Sequence, residues 1–425
     1  MLIQFSVKNW RSVRDEQTLS MVKAKGGELL ETNTFQPAAL ATESLLRSAV
    51  VYGPNAAGKS NLLTALRTMR LVVVNSAVNK QEGDELPVVP FLLDETTEKM
   101  PTEFEVIFVS QGVRYQYGFA ATKSHIIEEW LIAFPNGRPQ RWFERNWLED
   151  KSEYSWTFGG SLLGQKQLWL DSTRDNALFL STATQLNSQQ LKPVFSWFKN
   201  TLSFSKVTGW SPTYTASLCT SEETQTRVVE FLTAADLDIK GVRVTSEPMS
   251  IDHLPDSLPD EVKRHLLDKM ENQKQYDIKM IHKGAQGQDI EFDFKEESDG
   301  TKKFFSFAGP WLDVLRRGRV LAVDELHDNL HPRLVKFLVD VFHSKVTNPN
   351  NAQLIFTTHE TSILNQDVFR RDQIWFCEKG DDQATKLYPL TDFSPKKGRE
   401  DLEAAYLAGR YGALPFVRPL KQTVS

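Results

Sequence analysis

Gly53-Pro54-Asn55-Ala56-Ala57-Gly58-Lys59-Ser60 follows directly on the apolar run Ala49-Val50-Val51-Tyr52 and leads into Asn61-Leu62-Leu63-Thr64-Ala65-Leu66. The run before it reads as a buried strand and the stretch after it as a helix, so the glycines fall in a tight strand-to-helix turn. Glycines let backbone N–H groups turn inward, and the helix N-terminus behind them carries partial positive charge. The pattern predicts a cradle for the phosphates of a nucleoside triphosphate, with Lys59 reaching the β/γ oxygens and the Ser60 hydroxyl on Mg²⁺. A glycine turn that matched by chance would have no reason to be followed by the other parts of the same machinery.

Those parts follow in order. Arg319-Val320-Leu321-Ala322-Val323 reads as a buried strand and ends in Asp324-Glu325. An acidic pair at a strand end beside a phosphate loop is expected to divide its labour: Asp324 holds the Mg²⁺ shell and Glu325 polarises the attacking water. Gln353-Leu354-Ile355-Phe356 is a second buried run, leading into Thr357-Thr358-His359, where His359 is placed to hydrogen-bond a γ-phosphate oxygen. Upstream, Ser298-Asp299-Gly300-Thr301-Lys302-Lys303 opens a helix ahead of Phe304-Phe305-Ser306-Phe307. Ser298 can cap that helix and Gly300 can admit a phosphate to its backbone.

The turn at Ser298–Gly300 resembles the signature motif of ABC-type ATPases, in which the signature of one subunit closes over the triphosphate held by another. Asn9-Trp10-Arg11-Ser12, the loop sequence from Gly53 to Asn61, the stretch from Asp324 to Pro332, and Tyr406 to Pro415 together resemble the AAA15 family. That compact branch of ABC-type ATPases is related to RecF, Rad50 and OLD proteins, and the chain is most similar to its RloA-type members. The resemblance covers nearly the whole chain. It implies an α/β fold: a P-loop ABC-type ATPase head with an antiparallel β lobe and a mainly helical insertion. It also implies ATP and Mg²⁺ as ligands, Arg11 at the nucleotide, Asp328 in the loop linking two nucleotide sites, and a homodimer or higher oligomer with shared sites. Relatives stand in prokaryotic anti-phage loci beside a separately encoded effector, the ATPase of PARIS systems among them. The chain departs from the pattern twice. No glutamine stands clearly for the Q-loop, although Pro90-Phe91-Leu92-Leu93-Asp94 lies where one belongs, and the signature lacks the leucine and second glycine of transporters.

Composition agrees with an intracellular enzyme. The 425 residues can bury two or three cores, and aromatic residues are plentiful. Cys219 and Cys377 are the only cysteines, which suits the reducing cytoplasm better than a disulfide scaffold. The strand-like start Met1 to Val7 lacks the shape of a signal peptide, and no apolar run is long enough to cross a bilayer. A net charge of −5 disfavours a broad nucleic-acid surface; Arg316-Arg317 and Lys396-Lys397-Gly398-Arg399 are local basic candidates, and both read better as solvated faces.

Three segments are expected: an N-terminal ATPase lobe over 1–177, a helical insertion over 178–275, and a C-terminal ATPase lobe over 276–425. Within the first, Phe104–Phe108 and Val113–Phe119 alternate around Gln111-Gly112 as a hairpin, and another strand pair flanks Asn136-Gly137. Within the insertion, Thr220-Ser221-Glu222-Glu223 reads as a capping box, Pro259 opens a helix over Asp260 to Asn272, and no sustained heptads suggest a coiled coil. Tyr276 to Phe294 returns to strand-like alternation. No nuclease domain, zinc spacing or Ser/His/Asp arrangement stands out, and His327 with His331 reads as part of a turn rather than a metal site. The resulting expectation is an ATP-driven sensor or scaffold in phage defence. Its alternatives are a RecF/Rad50-like repair ATPase that clamps DNA and a nucleotide-binding assembly module.

Overall fold

The computed structural model describes residues 1–205, 210–235, 237–250, 259, 262–263, 274–395, 398 and 400–415. The helix expected over Asp260 to Asn272 and the basic residues Lys396, Lys397 and Arg399 fall outside them, save for Val262 and Lys263. The chain divides into two compact units. One comprises Met1–Phe204, Arg317–His327 and Leu338–Ser425, and the other Ser205–Arg316 and Asp328–Phe337.

The first unit holds two large sheets. A seven-stranded antiparallel sheet runs in the order Glu153–Phe158, Gln140–Leu148, Ile126–Phe134, Val113–Ala121, Thr102–Ser110, Leu2–Lys8, Gln17–Ser20. Its Gln111-Gly112 hairpin has positive φ at both turn residues, as a two-residue turn between right-twisted strands requires, and Asn136-Gly137 does the same between Ile126–Phe134 and Gln140–Leu148. The second sheet runs Leu202–Phe204, Val320–Val323, Gln353–Thr357, Ser48–Tyr52, Ile374–Lys379, Thr385–Pro389, parallel except for the last pair. Ser48–Tyr52, Val320–Val323 and Gln353–Thr357 are buried throughout, as central parallel strands covered on both faces must be. The helix Lys59–Asn75 turns Leu62, Leu66, Met69 and Val73 into the hydrophobic core shared by both sheets.

Residues 178–204 join this first unit rather than the insertion. Glu129, buried in the antiparallel lobe, accepts the backbone N–H groups of Phe179 (2.7 Å) and Leu180 (3.0 Å) that open the helix Phe179–Gln185. Burial pushes the Glu129 carboxyl pKa up, while the buried Arg145 guanidinium 3.4 Å away favours its charged form. Removing either partner would strand a charge in a dry interior, so the segment is tied to the lobe.

The second unit combines helices with a three-stranded antiparallel sheet of Gly241–Pro248, Lys274–Lys283 and Asp289–Asp293. The expected helical insertion therefore also carries the strand Gly241–Pro248, which pairs along its whole length with Lys274–Lys283. The capping box is not formed. The helix Glu222–Ala234 starts one residue later than that box assumes, with Ser221 in the extended cap position and no side-chain cap bond. This puts Thr224 where a Glu or Gln would have to close the box. The helix Asp299–Arg317 contains Pro310, whose missing N–H leaves the Ser306 carbonyl without its helical donor. The buried Thr215 hydroxyl lies 3.4 Å from that carbonyl oxygen and accepts the Gly309 N–H at 3.1 Å, mending the break. Both cysteines are free and buried. Among the described residues no helix is long and apolar enough to cross a membrane.

Candidate functional site

The phosphate loop, the acidic pair and His359 sit at the C-terminal ends of Ser48–Tyr52, Val320–Val323 and Gln353–Thr357, with the histidine strand between the other two. Ligands of open parallel sheets bind at this end, where the strands deliver their loops.

The loop closes onto the sheet beneath it. Gly53 has φ +152°, and a Cβ there would lie 2.1 Å from the Cys377 carbonyl oxygen; Gly58 has φ +110°, and a Cβ would lie 2.1 Å from Thr385 Oγ1. Only glycine lets the backbone run this close. Ala56 takes positive φ as well, and Asn55, Ala56 and Ser60 are exposed at the rim while Ala57, Gly58 and Lys59 are buried.

Lys59 is 5% exposed, and its ammonium donates to Gly53 O (2.8 Å), Pro54 O (3.0 Å) and His359 Nε2 (3.1 Å). A lysine has no lone pair to offer, so Nε2 accepts and the ring is neutral. The electrostatics agree: desolvation first, then the Lys59 charge, holds the His359 pKa down at about 4. Desolvation also lowers that of Lys59, with Cys377, Glu325 and Asp324 opposing it. His327 completes the group, its Nδ1 accepting the His359 backbone N–H at 3.4 Å and its ring meeting that of His359 edge-on at 5.5 Å. By sequence His327 reads only as part of a turn, and no local signal points to this contact.

The acidic pair is held by a residue that sequence reasoning named only in passing. Thr357 is fully buried, its hydroxyl donates to Asp324 Oδ1 (2.6 Å), and its oxygen accepts the Glu325 N–H (2.8 Å). Glu325 has φ +52°, a strained turn for a non-glycine residue, and its side chain is exposed. Asp324 and Ser60 are the residues that could hold Mg²⁺ together with phosphate oxygens. Magnesium takes one or two carboxylates plus phosphates rather than an all-protein cage, and among the described residues no group of three or more His, Cys, Asp or Glu forms such a cage.

The N-terminal loop flanks the start of the loop helix. Trp10 is buried and donates Nε1–H to Asn61 O (2.9 Å), and Asn61 Nδ2 donates to Ser12 Oγ (2.7 Å). Arg11 between them is exposed, with its guanidinium 5.1 Å from the Trp10 ring centroid. The segment expected to supply a Q-loop packs here too: the buried Phe91 donates its N–H to Asn9 Oδ1, and just ahead of the segment Val89 O accepts the Arg11 N–H.

Ser298, Gly300 and Asp328 belong to the second unit. Ser298 Oγ accepts the Thr301 N–H (3.1 Å) and caps the helix Asp299–Arg317, while a Cβ at Gly300 would meet Asn329 O at 3.6 Å, an ordinary contact. Lys303 donates to the Asp328 carbonyl oxygen and to Asp328 Oδ2 (3.0 Å), joining the helix start to the loop after the acidic pair. Arg316 is paired with Asp313 at 3.1 Å.

The AAA_21 family, described as "AAA domain, putative AbiEii toxin, Type IV TA system", matches residues 48–365. No curated protein matches the chain. Among solved structures, the SMC head domain from Thermotoga maritima is similar at 11% identity, covering 91% of this chain and 98% of that one, with a TM-score of 0.39. The SMC head bound to the C-winged helix domain of ScpA is 12% identical over 91% of this chain and 97% of that chain, with a TM-score of 0.41. The recombination mediator RecF with ATP is 14% identical over 91% and 99%, with a TM-score of 0.38.

Proposed function

Since the chain belongs to the AAA_21 family of AAA domains, we propose that it is a sensor or scaffold ATPase of a prokaryotic anti-phage, abortive-infection type system, acting with a separately encoded effector. The observation that carries the ATPase reading is the convergence of Lys59, Asp324, Glu325 and His359 from three neighbouring parallel strands. The family description, which names a toxin and a toxin–antitoxin system, supports the two-gene arrangement. The resemblance of Asn9–Ser12, Gly53–Asn61, Asp324–Pro332 and Tyr406–Pro415 to the RloA-type AAA15 branch supports the defence setting.

In this reading Lys59 exchanges its carbonyl and imidazole acceptors for the β/γ-phosphate oxygens of ATP. The exchange releases His359 Nε2, and the neutral ring can then carry its proton on that nitrogen and donate to the γ-phosphate. Ser60 and Asp324 would hold Mg²⁺, which when bound would neutralise charge on the phosphates. Glu325, exposed and backbone-anchored through Thr357, accepts a hydrogen bond from the attacking water and orients it. Ser298, Gly300 and Asp328 of a second subunit close over the site, so hydrolysis needs a homodimer or higher oligomer. The ATP state and the hydrolysed state differ in affinity for the effector, and that difference transmits the signal.

The test is co-purification with the product of the adjacent reading frame, in wild type and in Glu325→Gln, alongside phage plating. Retention of the partner in a nucleotide-dependent way, with protection lost in Lys59→Ala, is expected. Protection by this gene alone, without its neighbour, would sink the partner model.

A further inference from the structure

We propose that Thr385, supported by Ser12, is a positioning residue that holds the phosphate loop in its phosphate-accepting conformation. The inference rests on the ATP reading of Gly53–Ser60 and adds a strut that the loop's own sequence does not contain. Thr385 opens the edge strand Thr385–Pro389 and is 3% exposed. Its hydroxyl donates to the Ala57 carbonyl oxygen at 2.8 Å, and the Cys377 thiol donates to the same oxygen at 3.3 Å. Ser12 braces Thr385 twice: its carbonyl accepts the Thr385 N–H at 2.7 Å, and its Oγ stands 2.8 Å from Thr385 Oγ1. The same Ser12 Oγ accepts Asn61 Nδ2, so the brace reaches back into the first turn of the loop helix.

The consequence follows from the peptide plane. In a trans peptide the C=O and the following N–H point in opposite directions. With the Ala57 carbonyl tethered toward the edge strand, the Gly58 N–H must face away from that strand. Gly58 has the backbone freedom to let this peptide flip, which would turn a carbonyl oxygen toward the phosphates in place of a donor. The tether from Thr385 opposes that flip. It also explains the tight fit at Gly58, whose missing Cβ is the space Thr385 Oγ1 fills.

The test is calorimetry with ATP on the purified full chain, joined to steady-state turnover. Thr385→Val removes the donor and keeps the branched volume. The ATP Kd and KM should rise roughly fivefold, the factor that matches loss of one ordinary hydrogen bond. Maximal turnover at saturating ATP should fall by less, and Thr385→Ser should restore the affinity. A merely structural role would instead lower the melting midpoint without separating KM from kcat. If wild type binds ATP and Thr385→Val binds it equally well, the strut is refuted and the ATP reading stands. If wild type does not bind ATP, both fall. Should Thr385→Val precipitate, Ser12→Ala decides: a raised Kd supports the strut and an unchanged one overturns it.

Discussion

Thr357→Val is the most informative change to the candidate hydrolytic machinery, because it leaves both acidic residues in place and removes only what aligns them. The hydroxyl serves two neighbours at once, donating to Asp324 Oδ1 at 2.6 Å and accepting the Glu325 N–H at 2.8 Å from a fully buried position. A hydrogen bond to a charged group contributes about 1.5–3 kcal/mol. Asp324 is only partly buried, so water can replace some of the lost contact, and a net cost near 2 kcal/mol is expected. For a unit of roughly 300 residues, at about 2.1 cal/mol/K of unfolding entropy per residue, that corresponds to a fall of about 3 °C in melting midpoint. The effect on turnover should be larger than stability alone requires. Glu325 adopts a left-handed backbone conformation that its N–H bond to Thr357 helps to hold, and a displacement near 1 Å in a positioned group costs up to about a hundredfold in rate. Differential scanning fluorimetry and a phosphate-release assay at saturating ATP, with Thr357→Ser as the control, measure both. Wild-type turnover in a folded Thr357→Val chain would refute the claim that this hydroxyl aligns the pair.

Glu325→Gln should keep ATP affinity while turnover falls roughly 10²–10⁴-fold, the usual loss for a positioned base; near-normal phosphate release would assign the water to another group. Lys59→Ala should abolish ATP binding by calorimetry, and Ser298→Arg should block the neighbour's site, so each is inactive alone while a reassembled mixture regains some hydrolysis. Full activity of monomeric Ser298→Arg would exclude shared sites. The His359 ring should titrate near pH 4 by NMR and move upward in Lys59→Met, because the Lys59 charge is one cause of the depression. The sign for stability follows. Between about 6.5 and about 4 the unfolded imidazole binds a proton that the folded one refuses, so His359 destabilises the fold progressively as pH falls through that window and has no effect above it. A ring midpoint at the ordinary 6.5 would show that His359 is not packed against a charged Lys59.

The phosphate loop, the buried strands on either side of it, the acidic strand end and the Gln111-Gly112 hairpin were legible from local sequence. Each depends on interactions within a few residues: glycine's access to positive φ, a run of apolar side chains, the alternation of a half-buried strand. The same is true of Ser298 as the cap of its helix. Where a local pattern had two near-equivalent solutions, the wider fold chose between them. The helix after Thr220 begins at Glu222 because Ser221 adopts the extended cap conformation, which takes Glu223 out of the capping-box position.

What no window of sequence could supply is which distant residues meet. Thr357 on the acidic pair, His327 against His359, and Thr385 with Ser12 beneath the phosphate loop are contacts between segments tens to hundreds of residues apart, made by side chains that locally read as ordinary strand or turn residues. The boundary near Ser205 was hidden for the same reason: Glu129 of the β lobe ties Phe179 and Leu180 into the first unit through bonds across some fifty residues. Local chemistry determined what each loop can bind, because backbone freedom and side-chain type are properties of the segment itself. The strand order decided which loops share one site, because only packing of the sheet brings the ends of Ser48–Tyr52, Val320–Val323 and Gln353–Thr357 side by side.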